Sequence, residues 1–167
     1  MRRWYLRLSL LLVLTFGALT IGLGGAQLVA AKSTIVNAAN GKCLDMTNGS
    51  TSNGAQPQIW TCNDNPQQFW NFISIGSPFF LIQNANSGKC LSILNNSTAR
   101  SATVIQWTCN FSGNDLWEDW RQSRPSSPFE FFNAGNPYVM HPSGCGDSNG
   151  LKIFMNVSNQ CPEDYWS

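Results

Sequence analysis

Between Cys43 and Trp70 the chain places a carboxylate, three amides and an indole at short intervals: Asp45, Gln58, Trp60, Gln67 and Gln68. The carboxylate accepts hydrogen bonds on both oxygens, and an amide both donates and accepts. The indole offers a flat apolar face to the C–H face of a polyol. Together they make the inventory of a shallow polyol-binding pocket. No nucleophile stands beside an activating base, so no covalent catalysis is expected. A glycosidase needs two facing carboxyl groups at a set separation, and the adjacent pairs Glu118–Asp119 and Glu163–Asp164 read as loop charges. The chemistry on offer is reversible binding, not catalysis.

The elements that must carry these groups are strands. The chain beyond residue 31 is rich in Asn, Ser, Gly and Gln, and it lacks long apolar stretches of helical period. Short runs such as Phe79–Gln83 and Phe129–Phe132 alternate with Asn/Gly/Ser turns, an all-β pattern. The first 31 residues read differently. Arg2, Arg3 and Arg7 precede an apolar run from Leu8 to about Leu23, and small residues lead to Val29-Ala30-Ala31. This is a signal peptide, with cleavage expected after Ala31 or at Ala26. An uncleaved leader would instead be a membrane anchor, although the run is short for a span and is interrupted or followed by Gly17, Gly22, Gly24 and Gly25. Either way the rest of the chain is expected outside the membrane, secreted or displayed.

Of the ten basic residues three lie in the leader, so seven basic against nine acidic residues give the mature chain a net charge of −2. No basic patch remains for nucleic acid. All six cysteines fall in the mature part, an even number in an exported chain, which points to disulfides. No C-x-x-C pair or histidine cluster points to a metal, and no cofactor is implied.

The chain is internally duplicated. Cys43 to Cys90, Trp60 to Trp107, Cys62 to Cys109 and Trp70 to Trp117 are each 47 residues apart. At that offset Ile35, Asn37, Ala38 and Gly41 through Leu44 also meet identical residues, with no gap. A third unit is weaker. Trp166 lies 49 residues after Trp117, Phe131–Ala134 resembles Ile35–Ala38, and Lys152-Ile153-Phe154 takes the place of Gln58-Ile59-Trp60.

The Lys42-Cys43-Leu44-Asp45 start, the Gln58–Cys62 Q-I-W-T-C run and the Gln68–Trp70 Q-x-W close resemble the ricin B-type lectin domain. The resemblance spans residues 32–167 and implies a β-trefoil of three four-stranded repeats, about 33–78, 79–124 and 125–167. It also implies disulfides Cys43–Cys62 and Cys90–Cys109, each closing a loop worth roughly 3 kcal/mol. Cys145 and Cys161 remain, and pair by exclusion, because Val139 and Asn156 stand where a third family pair would be. Trp70, Trp117 and Trp166 are implied as core residues.

In the family a carboxylate at the place of Asp45 takes two adjacent hydroxyls of a galactose-like ring, with Gln58, Trp60 and Gln68 completing the pocket. At Gln67 the family usually has Asn, so this side chain reaches the sugar differently or misses it. Bland readings stand beside these: Asp45 as a solvated turn carboxylate, Trp60 as a half-buried strand aromatic. Unit two replaces Asp45 with Ser92, Gln58 with Ile105 and Gln68 with Asp115, keeping Trp107 and Asn114, so its pocket is expected to be dead or altered. Unit three offers His141, Lys152 and Phe154, and no family-type binding is expected there. His141, the single histidine, reads as a surface turn residue. Five N-x-S/T triplets, starting at Asn48, Asn95, Asn96, Asn110 and Asn156, matter only where the host glycosylates exported proteins. The implied partners are glycans or polysaccharides, with no membrane contact beyond the export signal. The competing reading is a protein-binding trefoil, an inhibitor or receptor ligand, whose sugar site is vestigial.

Overall fold

The computed structural model describes residues 32–120 and 128–167, so the leader expected over residues 1–31 lies outside the described residues. Strands β1 (Ser33–Thr34), β2 (Cys43–Met46), β3 (Pro57–Trp60) and β4 (Phe69–Gly76) make the first unit. The second holds β5 (Phe79–Asn84), β6 (Cys90–Ile93), β7 (Val104–Trp107) and β8 (Trp117–Trp120). The third holds β9 (Glu130–Asn133), β10 (Asn136–Pro142) and β11 (Ile153–Asn156), and its fourth strand shrinks to bridges from Trp166 to Asn37 and Phe129. Among the described residues, helix is confined to three-residue 3-10 turns. One such turn follows the second strand of each unit, and its middle residue is left-handed: Asn48, Asn95 and Gly144. Asn and Gly tolerate that conformation, so the composition noted above places the corners.

The pairing is that of a β-trefoil. Strands β1, β4, β5, β8 and β9 pair in series, and Trp166 bridges β9's neighbour Phe129 to Asn37, closing a barrel. The hairpins β2–β3, β6–β7 and β10–β11 stand on one end of it. Trp70, Trp117 and Trp166 are fully buried, and their indole N–H groups donate to the carbonyls of Leu44, Leu91 and Met140 at 3.0, 3.0 and 3.1 Å. Burying such a ring stabilises the fold only if its N–H finds a partner, which this arrangement supplies three times. Ile35, Ile82 and Phe131 fill equivalent core places. Asn37, Asn84 and Asn133 stitch the units: each buried amide donates to the carbonyl of Glu163, Gln67 or Asn114 in another unit. No unit could bury its apolar face alone, and three together can.

Disulfides join Cys43 to Cys62, Cys90 to Cys109 and Cys145 to Cys161. The first two fasten equivalent hairpins. The third fastens the 3-10 turn after β10 to the turn before Trp166.

The third unit's register differs from the sequence expectation. Met140 receives the Trp166 N–H as Leu44 receives that of Trp70, and the hairpin pairs His141 with Phe154 as it pairs Asp45 with Gln58. The unit therefore runs at an offset of 49 throughout. Phe154 stands in the place of Gln58, Asn156 in that of Trp60 and Lys152 in that of Gln56. The apparent match of Lys-Ile-Phe to Gln-Ile-Trp is two residues out of step.

Candidate functional site

Asp45 sits on β2 directly across from Gln58 on β3, and Trp60 follows two residues along on the same face. The 47 residues per unit thus bring an acid and an indole 15 positions apart to one concave surface. With Asn48, Asn63, Asn65 and Gln67 they line a solvent-open pocket of about 250 Å3. Trp60 is 39 % exposed and offers its ring to solvent. Gly150, in the third unit, lies beneath that ring at a distance that would put an added Cβ 3.8 Å from it.

Asp45 is not a solvated turn carboxylate. It lies on a strand and is only 2 % exposed. A buried carboxylate needs hydrogen bonds, and each oxygen has one: Gln58 Nε2 donates to Oδ1 and Gln68 Nε2 to Oδ2, both at 3.0 Å. A carboxylate oxygen has a second acceptor site, so the pair of oxygens keeps capacity for two ligand donors side by side.

Gln68 departs from its expected place. It is fully buried and absent from the pocket wall; its Nε2 also donates to the Thr61 carbonyl, and its Oε1 accepts the Asn63 N–H. It holds Asp45 from behind and fixes the Asn63 turn, so it is a positioning residue. Gln67 lines the rim, its side chain passing over Gly49 and its carbonyl held by Asn84.

One contributor is invisible to any motif. Lys152, from the third unit, donates to Gln58 Oε1 at 3.1 Å and to Thr47 Oγ1. This fixes which end of the Gln58 amide faces Asp45. Burial lowers the Lys152 pKa, and the charge of Asp45 pulls it back up. A separation of 94 positions hides the contact from the sequence, in which Lys152 stands as a substitute for Gln58 in a separate pocket.

In the second unit a pocket of about 200 Å3 survives, with Trp107 42 % exposed. Its floor has changed. Ser92 accepts from Asn114 Nδ2 at 2.6 Å, Ile105 is apolar, and Asp115 is fully buried where Gln68 would donate. In the third unit His141 is buried on β10, not on a surface turn, because it occupies the Asp45 place. Asp164 is likewise fully buried, its Oδ2 accepting from the Gln160 and Cys161 N–H groups, while Glu118 lies on β8. Neither is a free loop charge. His141, Cys145 and Cys161 bring their heteroatoms within 4.8 Å of one another, but the two sulfurs are bonded to each other, which leaves the imidazole as the cluster's one available donor. Another cavity, of about 750 Å3, lies away from these hairpins, against the first strand and the turn between the fourth and fifth. Its walls include Phe72, Phe80 and Phe129, with no charged side chain among the described lining residues to orient a polyol.

Comparison with known proteins agrees with this architecture. No curated protein matches the chain. The designed threefold-symmetric protein ThreeFoil superposes with a TM-score of 0.77 at 22 % identity, covering 81 % of this chain and 95 % of that one. An exo-β-1,3-galactanase from Clostridium thermocellum gives 0.76 at 24 % identity, covering 81 % of this chain and 29 % of that one. The Macrolepiota procera ricin B-like lectin, solved with lactose, gives 0.70 at 19 % identity, covering 83 % and 94 %. The family described as ricin-type beta-trefoil lectin domain-like matches over residues 26–107 and again over 66–156. With the trefoil's threefold hydrogen-bonding in place and the family's match running through all three units, this chain belongs to the ricin-type beta-trefoil lectin domain-like family.

Proposed function

We propose that this carbohydrate-binding domain is exported and holds a galactose-like or related sugar in one competent pocket, that of the first unit. Asp45 accepts two neighbouring hydroxyls, the Trp60 ring takes the sugar's C–H face, and Gln58 and Gln67 supply further polar contacts. Gln68 and Lys152 keep Asp45 and Gln58 in place. The observation that carries the reading is the placement of Asp45 and Trp60 in one open pocket, with each carboxylate oxygen already held by one amide. The lactose complex of the Macrolepiota lectin supports the sugar class. The second pocket has lost the acid and the third has lost both acid and indole, which supports a single site of this type.

The energetics make a sharp test. A hydrogen bond to a charged acceptor contributes roughly 1.5–3 kcal/mol, and a millimolar affinity rests on only about 4 kcal/mol. Losing both contacts abolishes measurable binding. Wild type and Asp45→Ala are compared on galactose-agarose, and galactose, xylose and arabinose are titrated against tryptophan fluorescence, with thermal unfolding confirming that the variant is folded. Wild type is expected to be retained and a folded Asp45→Ala to flow through. Equal behaviour of the two sinks the assignment.

A further inference from the structure

The third unit's pocket has not simply decayed; its charge has been reversed. At the first two junctions between units one arrangement repeats. An Asn side chain of one unit accepts the N–H of a Thr in another, Asn149 from Thr61 at 2.9 Å and Asn53 from Thr108 at 3.0 Å. Next to each Asn a glycine with positive φ, Gly150 or Gly54, lies under the exposed tryptophan. At the third junction all three elements change together. Asn156 replaces the tryptophan, Ser101 replaces the glycine and Arg100 replaces the asparagine. Removing the ring opens space, and the space is bordered by a cation.

That space is a pocket of about 440 Å3, lined by Arg100, Ser101, His141, Ser143, Phe154 and Asn156. Arg100 Nε donates to Asn156 Oδ1 at 2.7 Å, which fixes one edge of the guanidinium and leaves its terminal nitrogens as donors. Arg100 has no ion pair among the described residues. His141, in the place that holds the carboxylate in the first unit, lines the same pocket, with its buried Nδ1 turned toward Asp164 Oδ1 at 3.7 Å. Two serine hydroxyls and the Asn156 amide surround them, and the Phe154 ring supplies an apolar wall.

We propose that this third pocket binds the acidic group of a negatively charged saccharide, a carboxylate or a sulfate ester, through the Arg100 guanidinium beside the His141 imidazole. Arginine's fork suits both groups in a bidentate manner. The serines and Phe154 would meet the rest of the sugar. The site is independent of the first pocket, because it uses neither Asp45 nor Trp60.

The single histidine of the chain makes a clean reporter. Burial lowers its pKa most, Arg100 lowers it further, and Glu163 raises it. Asp164 stands 3.7 Å from Nδ1 behind it. An anion on Arg100 offsets the depressing cation, so His141 should titrate at higher pH when the pocket is filled.

The test follows the His141 imidazole resonance by NMR while glucuronate, glucose 6-sulfate, glucose or sodium sulfate is added. The two acidic sugars are expected to move the resonance and raise its titration midpoint, to bind more tightly than sodium sulfate, and to weaken with added salt. Arg100→Gln, at an exposed position, should lose about tenfold or more of that affinity. Asp45→Ala should keep it. Glucose binding as tightly as glucuronate, unchanged affinity in Arg100→Gln, loss in Asp45→Ala, or sodium sulfate binding as tightly as glucose 6-sulfate would each overturn the proposal. Failure of the galactose test leaves these readings untouched, so the two proposals fail separately.

Discussion

Replacing Lys152 with methionine removes a cation that is not part of the Asp45 pocket wall, and it asks whether Asp45 works alone or as the end of a cross-unit chain. Lys152 Nζ holds Gln58 Oε1 at 3.1 Å, and Gln58 Nε2 holds Asp45 Oδ1 at 3.0 Å. Methionine keeps most of the stem's packing and deletes the charge. Gln58 then loses the contact that ranks its two amide orientations, although its donor is still drawn to the carboxylate. Re-ordering one such side chain when a ligand binds costs about 0.5–1.5 kcal/mol, which corresponds to an affinity loss of about two- to twelvefold. On the fold, the lost charged hydrogen bond is discounted because Lys152 is partly exposed; about 1 kcal/mol remains, a fall of a few degrees in Tm.

The assay is the tryptophan-fluorescence titration with galactose beside a thermal melt, on wild type, Lys152→Met and Asp45→Ala. Lys152→Met should fall between the other two. Wild-type affinity in Lys152→Met would show that Gln58 needs no support. Loss as complete as in a folded Asp45→Ala would make Lys152 a ligand contact and refute its positioning role.

The second pocket can be rebuilt only by three changes together. Ser92→Asp alone would place its carboxylate against buried Asp115, so it should destabilise the fold without binding; adding Ile105→Gln and Asp115→Gln should raise the sugar stoichiometry from one to two by calorimetry. Stability should also depend on pH through the third unit. The folded state depresses the His141 pKa from its ordinary 6.5, so protonation opposes folding, and stability present above about pH 6.5 is lost as pH falls through the window beneath it. Asp164 works oppositely, because burial raises its pKa above 3.8 and folding favours its protonated form, returning part of the loss at lower pH. Urea unfolding at pH 7.5, 5.5 and 4 should therefore show a fall and then a shallower slope; a rise on going from pH 7.5 to 5.5 contradicts the His141 environment.

The trefoil was legible because its supports repeat in sequence. Trp70, Trp117 and Trp166 mark the three closing turns, and a constant offset of 47 aligns the first two units without a gap. Asp45 and Trp60 were legible for the same reason: a strand places residues two apart on one face, and a hairpin fixes their partners. What escaped was set by tertiary contact. Gln68 looked like pocket wall, yet it is the buried backing of Asp45. His141 looked like a turn residue, because nothing local reveals that it inherits the Asp45 position. The third register slipped because its marker, the tryptophan, is gone, and Phe154 two residues earlier imitates it.

These misses share a cause that bears on how the domain changes. Each pocket takes groups from two units: Gly150 under Trp60, Gly54 under Trp107, and Arg100 against Asn156. A change at the tryptophan place therefore alters what the facing loop must accommodate. Where the indole stays, the loop keeps a bare glycine and a neutral asparagine. Where it has gone, the loop carries Ser101 and Arg100. Random decay of an idle site would not be expected to alter both sides of one junction in matching ways, toward smaller wall and added donor. The acid of the first pocket stands on its second strand and the cation of the third on the facing loop, at the station of Asn53 and Asn149, so equivalent dents of one scaffold carry opposite charges on different walls.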